Sequence, residues 1–182
     1  MTLGALLLRA LLPNALKRRL LTQLFATTAA GFGRPAPDLR GLGYEQRLRR
    51  YAMFTRDEAE RCLSTPGNAT MVRAQLHDNA RCLGAQLRRR LGTRSTNDSL
   101  VVGRWLYRNI GIDLRPGPQG AITVNRCYFA DFYPAAVCRL ISALDEGLFE
   151  GLSGGGQLEF TERVTEGSQF CRAQLHTQEC LR

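Results

Sequence analysis

Apolar residues recur every three or four positions over much of the first two-thirds of the chain, which is the period of an amphipathic helix. This spacing predicts helices over residues 44–63, 70–91 and 97–109, with glycine or proline soon after each of them. For the third helix, Asn97 or Asp98 is the predicted cap. Its predicted buried face consists of Leu100, Val101, Trp105 and Leu106.

The pattern changes to strict alternation over residues 157–164, which is the period of a β-strand. The Glu-Gly pair at 166–167 can form a two-residue turn, because glycine accepts the positive φ that such turns need. Pairing across this turn places Leu158 opposite Leu175, so that the apolar faces of the two strands agree. Residues 112–128 are expected to complete a small antiparallel sheet.

Between the two strand regions, residues 134–146 predict a further helix, with Pro134 suited to its first turn. Helices that come first and strands that come later are typical of α+β proteins. We therefore predict an α+β fold, in which a helical N-terminal two-thirds packs on a small antiparallel sheet that ends in a C-terminal hairpin.

The chain has 182 residues, of which 44% are hydrophobic, and this is enough for one domain with a substantial core. We predict a single α+β domain over residues 31–182, preceded by an amphipathic helical segment over residues 1–30. Six cysteines are present and none forms a Cys-x-x-Cys pair. We expect reduced thiols and a location in the cytoplasm.

Residues 2–12 are strongly apolar apart from Arg9, and Lys17, Arg18 and Arg19 follow them. The uncharged run is too short and interrupted to cross a membrane. A secretory signal would carry its charges before the apolar run, whereas here they come after it. Two interpretations of residues 2–30 stay open: a helix that packs on the domain or on a partner protein, and an amphipathic helix that lies on a membrane surface.

The net charge is +9, from 25 basic and 16 acidic side chains, which favours anionic partners. The chain has no zinc-finger spacing, and aromatic residues are not interleaved with the basic ones, so we do not expect nucleic-acid binding. Arg104 and Arg108 are spaced i, i+4, and could present two cations to an anionic ligand or form a solvated stripe.

Acids and thiols concentrate in the last third of the chain. The predicted hairpin places Glu162 opposite Cys171 on the core-facing side, where a carboxylate is costly unless it is paired, protonated or metal-bound. Cys138 and Asp145 share one face of the predicted helix, about 10 Å apart along its axis. Asp145 would lie near the helix end, where the dipole disfavours an acid, and this favours a specific role. The structural alternatives are that Glu162 pairs with an arginine and that Cys138 is a small core residue.

The order Cys127, Cys138-x6-Asp145, Glu162 and Gly-x-x-x-Cys171 resembles the C-terminal part of the L-2-amino-thiazoline-4-carboxylic acid hydrolase family. It is similar, more distantly, to vinyl-4-reductase ligand-binding domains and to plastid carotenoid isomerases. The resemblance covers about the last 60 residues. In the hydrolases an acidic residue often follows the final cysteine, whereas Arg172 follows it here.

The resemblance implies a small-molecule enzyme that cleaves or rearranges a C–N or C=N bond without a cofactor. Cys138 or Cys171 would be the nucleophile, and Glu162 or Asp145 would transfer protons. Arg139 or Arg172 could lower the thiol pKa. The residues expected to contact a small anionic or hydrophobic substrate are Cys127, Arg104, Arg108 and Thr161.

An alternative function is a ligand-binding or isomerase domain for a hydrophobic or tetrapyrrole-like molecule, with iron or zinc bound to thiolates and carboxylates. The ligands would be Cys127, Cys138, Asp145, Glu162 and Cys171. A third interpretation is a structural partner protein that docks through its N-terminal stretch.

Overall fold

The computed structural model describes residues 13–177, and in this part of the chain the helices come mostly first and the strands last. Helices α1 to α5 cover Asn14–Gly31, Tyr44–Leu63, Asn68–Leu91, Thr96–Arg108 and Ala135–Ser153. Strands β1 to β4 cover Ile112–Pro116, Ala121–Cys127, Gln157–Glu162 and Cys171–His176. This arrangement confirms the predicted α+β fold.

Among the described elements, the most extensive packing is between α3 and α5, and glycines make it possible. A Cβ added at Gly147 would lie 2.1 Å from the carbonyl oxygen of His77, and one at Gly151 would lie 2.2 Å from that of Arg81. No side chain larger than hydrogen fits at such distances. The backbone of α5 therefore lies directly against α3, and the other helices and the sheet are arranged around this pair.

Helix α1 packs on the domain through the apolar side of its second half. Phe25 is fully buried and its ring meets the ring of Tyr51 edge-on, with centroids 5.2 Å apart. The hydroxyls of Thr28 and Tyr51 are hydrogen-bonded at 2.9 Å. This part of the predicted N-terminal segment is thus part of the core, whereas residues 1–12 lie outside the described residues. None of the helices within residues 13–177 is long and apolar enough to cross a membrane.

Helix α4 begins earlier than its sequence predicts. Its cap is Ser95, whose Oγ accepts a hydrogen bond from the backbone N–H of Asp98 at 3.1 Å, so the predicted cap at Asn97 or Asp98 is wrong. The buried face is also different, because Gly103 lies against the ring of Phe149, where a Cβ would be only 2.5 Å from it. Leu100 is buried as predicted, but Tyr107 takes the place expected for Trp105.

The four strands form one antiparallel sheet in the order β1-β2-β4-β3. Leu158 pairs with Leu175 as predicted, and both side chains are buried. The connection between β3 and β4 is not a two-residue turn. Residues 163–170 form a longer loop that contains a short 3-10 turn, and Gly167 supplies a φ of 95° after it.

Two bulges change which side chains face the core. In β2, Ile112 pairs with Cys127 and Leu114 with Val124, so β2 has one extra residue between these two pairs. In β3, Phe160 pairs with Ala173 whereas Glu162 pairs with Arg172, so Thr161 is extra. Because side chains alternate along a strand, each bulge moves the residue beyond it to the other face.

Candidate functional site

A cavity of about 150 Å³ lies between α1, α3, α4, α5 and the beginning of the sheet. Most of its lining is apolar, with leucines from four helices and aromatic rings from α2 and the segment before α5. The polar side chains at its inner end are Tyr107, Cys127, Cys138, Ser142 and Asp145. The lining also includes Lys17, Gln23, Thr27, Tyr51, Asn109 and Tyr133. An apolar pocket with a few converging polar groups is the usual form of a small-molecule site.

Asp145 is the one acidic residue among the described residues that line this cavity. Helix α5 continues to Ser153, so Asp145 lies in the middle of the helix and the argument from the helix dipole is wrong. The hydroxyl of Tyr107, on α4, donates a hydrogen bond to Asp145 Oδ1. Asp145 is partly exposed and lines the cavity.

Burial raises the pKa of Asp145 to about 7, from an ordinary value of 3.8. The hydrogen bond from Tyr107 favours the ionised form and opposes this shift, and the negative charge of Glu146 adds to it. Burial and the nearby acid also raise the pKa of Tyr107 well above its ordinary range. Tyr107 therefore keeps its proton, while Asp145 changes its charge near neutral pH.

Cys127 reaches the cavity because of the bulge in β2. Regular alternation would send its side chain away from Ile122 and Val124, but the extra residue brings it to their face of the sheet. It lines the cavity together with Asp145. Burial raises the pKa of the Cys127 thiol to about 12.

Cys138 lines the cavity from the same face of α5 as Asp145, as the helical spacing predicts. Cys171 lies on the core-facing side of β4, opposite Val124, and its Sγ accepts a hydrogen bond from the backbone N–H of Val164 at 3.4 Å. Burial raises the pKa of both thiols above the ordinary value of 9.0. Both are therefore protonated at neutral pH.

The arginine near these thiols is Arg163, which the sequence did not single out. Its guanidinium lies over the ring of Phe160 at 4.7 Å, and its positive charge opposes the rise in the pKa of Asp145, Cys138 and Cys171. Arg139 and Arg172 were the predicted activators of a thiol. They form surface ion pairs instead, with Glu166 at 2.6 Å and with Glu162 at 3.5 Å respectively.

The predicted core-facing position of Glu162 is wrong. The bulge at Thr161 turns Glu162 to the face of Arg172, away from Cys171, and 41% of its side chain is exposed. The structural alternative of an arginine pair at the sheet margin is the one observed. Glu162 therefore does not join Asp145 and the thiols.

Three of the residues expected to contact a substrate lie elsewhere. Arg104, Arg108 and Thr161 are exposed to solvent and do not line the cavity. The hydroxyl of Thr161 donates a weak hydrogen bond to the carbonyl of Arg172 at 3.4 Å. Of the four predicted contacts, Cys127 is the one that lines the cavity.

Sequence reasoning missed Tyr107. The signal that could have found it is the Ser95-x-x-Asp98 capping pattern, which fixes where α4 begins. Counted from that start, Leu100, Gly103 and Tyr107 fall on one stripe at i, i+3 and i+7.

Among residues 13–177, no three His, Cys, Asp or Glu side chains are close enough together to bind a metal ion. The five ligands proposed from the sequence do not converge, because Glu162 lies on the other face of the sheet.

The chain shows no significant match to any protein-family model, curated protein or solved structure with which it was compared. The resemblance to thiazoline-carboxylate hydrolases therefore stays a prediction from the sequence.

Proposed function

We propose that this chain is a small-molecule enzyme that binds a mostly apolar substrate in the cavity and exchanges a proton with it through Asp145. The observation that carries the proposal is a desolvated carboxyl group with a pKa of about 7, hydrogen-bonded to a tyrosine, in a cavity whose lining is mostly apolar. A carboxyl group at this pKa is present in both forms at neutral pH, so it can both donate and accept a proton.

Tyr107 would hold the carboxyl group of Asp145 in one orientation and leave the other oxygen, Oδ2, for the substrate. Since the phenol keeps its proton, the reacting proton belongs to Asp145. The apolar walls would exclude bulk water and so strengthen the hydrogen bond between Asp145 and the substrate. These are the features of a positioned general acid.

The reaction class we propose follows from the resemblance: hydrolysis at a C–N or C=N bond. Asp145 would protonate the nitrogen of a C=N bond, and water would add to the carbon and return a proton to the carboxylate. The tetrahedral adduct would then collapse: its C–N bond breaks as the hydroxyl becomes a carbonyl, Asp145 gives its proton to the leaving nitrogen, and the hydroxyl proton passes to the carboxylate. A neutral thiol is a poor nucleophile. The raised pKa values of Cys138 and Cys171 therefore favour attack by water over a covalent thiol intermediate.

A second candidate is a domain that binds a hydrophobic ligand without converting it. The largely apolar lining and the neutral thiols favour it, because both suit binding by burial of apolar surface. In that case Asp145 would donate a hydrogen bond to a polar group of the ligand.

Both candidates are tested by incubating the full chain with a panel of small cyclic imines and amides, including 2-amino-thiazoline-4-carboxylate, and by following binding and product with mass spectrometry. For an enzyme, we expect Asp145→Asn to lower kcat about 10²- to 10⁴-fold with the fold unchanged. We also expect the rate of the wild-type protein to change with an inflection near pH 7.

The matched control is Asp131→Asn, an exposed acid outside the cavity. Cys138→Ser separates the two hydrolytic mechanisms, since attack by water predicts a loss of less than about tenfold, whereas a covalent thiol mechanism predicts complete loss. A compound that binds and is recovered unchanged would favour the ligand-binding candidate. Turnover that survives Asp145→Asn undiminished would contradict the role of Asp145.

A further inference from the structure

A second concave surface, which adjoins the cavity at Gln23, is lined by arginines from three helices. Arg18 and Arg19 come from α1, Arg47 from α2 and Arg90 from α3, and together they line a groove of about 530 Å³ that we call the arginine groove. Its other lining residues are two polar side chains and an alanine. Four positive charges thus face one open depression with no acid among them.

These four arginines lack counter-ions within the described part of the chain, since none of them has a carboxylate within 4.0 Å there. Lack of a partner alone does not distinguish the groove, because exposed Arg104 and Arg108 also have no carboxylate within 4.0 Å in the described part of the chain; the difference is that four such arginines line one depression. Some surface arginines are paired. Arg115 lies 3.1 Å from Asp113, and Arg172 lies 3.5 Å from Glu162. The arginine groove therefore concentrates unneutralised charge, which an external anion would stabilise.

One of the four guanidinium groups is held in place. Arg47 donates from Nε to the carbonyl oxygen of Leu42 at 2.9 Å and from Nη1 to Thr22 Oγ1 at 3.3 Å. Its other N–H groups form no hydrogen bond with residues 13–177 and can bind phosphate oxygens, which match the planar fork of an arginine. A fixed donor loses less conformational entropy when an anion binds.

The sequence around α1 indicates which anion the groove meets. The apolar residues 2–12 stand immediately before the helix that supplies Arg18 and Arg19. An apolar segment joined to a basic cluster is the two-part signal by which proteins attach to anionic membranes. The lining of the groove includes no aromatic side chain on which a base could stack, which disfavours single-stranded nucleic acid.

We propose that the arginine groove binds the phosphate groups of an anionic membrane surface. The groove would then orient the protein on the bilayer through α1, α2 and α3 together. This inference is independent of the chemistry proposed for the cavity.

The test is co-flotation of the full chain with vesicles of phosphatidylcholine, with and without phosphatidylglycerol. We expect binding to the anionic vesicles that weakens as salt is added, because exposed charges are screened. Each neutralised arginine is expected to weaken binding about fivefold, so the double variant Arg18→Gln, Arg90→Gln should bind about 25-fold less tightly.

The matched control is the double variant Arg115→Gln, Arg172→Gln, which removes the same net charge from paired arginines on the sheet. We expect its affinity for the anionic vesicles to fall by less than about twofold. Melting temperatures of all variants check that these exposed substitutions leave the fold intact. Should the groove double variant unfold, Arg18→Gln against Arg115→Gln gives the same comparison.

Four results would overturn the proposal. If both double variants lose the same vesicle affinity, the overall positive charge of the protein, and not the groove, attracts it to the membrane. Equal binding to neutral vesicles would mean that apolar insertion alone is responsible. Release from vesicles by millimolar inorganic phosphate would indicate a site for a small phosphate compound. A groove variant that loses affinity for duplex DNA but keeps its affinity for vesicles would assign the groove to nucleic acid.

Discussion

The pKa of Asp145 makes a prediction about stability that can be measured without knowing a substrate. Between the ordinary value of 3.8 and about 7, the native protein keeps a proton on Asp145 that the unfolded chain has lost. Because the native state binds more protons in this window, the free energy of unfolding falls as the pH rises through it and levels off above pH 7. At high pH the ionised, buried group costs about 4 kcal/mol relative to an unperturbed acid.

Asp145→Asn removes this dependence, because the amide has nearly the same shape and no charge. Between pH 5 and pH 8, the loss of this proton lowers the free energy of unfolding of the wild-type protein by about 2–3 kcal/mol. The variant should therefore gain about 2–3 kcal/mol relative to the wild-type protein over that range. In melting temperature this is about 5–10 °C for a chain of this size.

The assay is urea unfolding of both proteins at pH 5 and pH 8, with Asp131→Asn as the exposed control. The difference between variant and wild type isolates Asp145, because every other titrating group is shared. A difference that is the same at both pH values would refute the raised pKa, and with it the main support for acid–base chemistry in the cavity. A large loss of stability at pH 5 would instead show that the amide disrupts the contact with Tyr107.

The other predictions concern the packing of two glycines, the reactivity of two thiols and the role of Glu162. Gly147→Ala should cost about 3 kcal/mol or more in urea unfolding, because its Cβ would lie 2.1 Å from a carbonyl oxygen of α3. Gly167→Ala, which has a φ of 95° and open space around it, should cost only about 1–2 kcal/mol, and equal losses would contradict the packing argument. Exposed Cys82 should react with a thiol reagent much faster than half-buried Cys127, whose thiol pKa is raised to about 12; equal rates in the native protein would contradict this difference in environment. Glu162→Gln should change stability by less than about 1 kcal/mol and leave any turnover intact, since it breaks only an exposed ion pair.

The sequence by itself determined the elements and much of the pairing in the last third of the chain. Alternation from residue 157 onwards predicted that Leu158 pairs with Leu175, and the structure has that pair. Helical spacing placed Cys138 and Asp145 on one face of α5, and both line the cavity. Periodicity is a local property of the chain, because each side chain's direction depends on the backbone geometry of its own element.

Only the tertiary structure decided which of these groups meet. A bulge depends on how neighbouring strands and helices accommodate one extra residue, and two bulges brought Cys127 to the cavity and turned Glu162 away from the core. The contact between Tyr107 and Asp145 joins two helices, and its position followed from the packing of Gly103 on Phe149. The pKa of Asp145 is likewise a tertiary property. It depends on how completely α1, α4, α5 and the sheet exclude water from the carboxyl group. These elements are distant from one another in the sequence, so the hydrophobic pattern around Asp145 alone does not predict the desolvation.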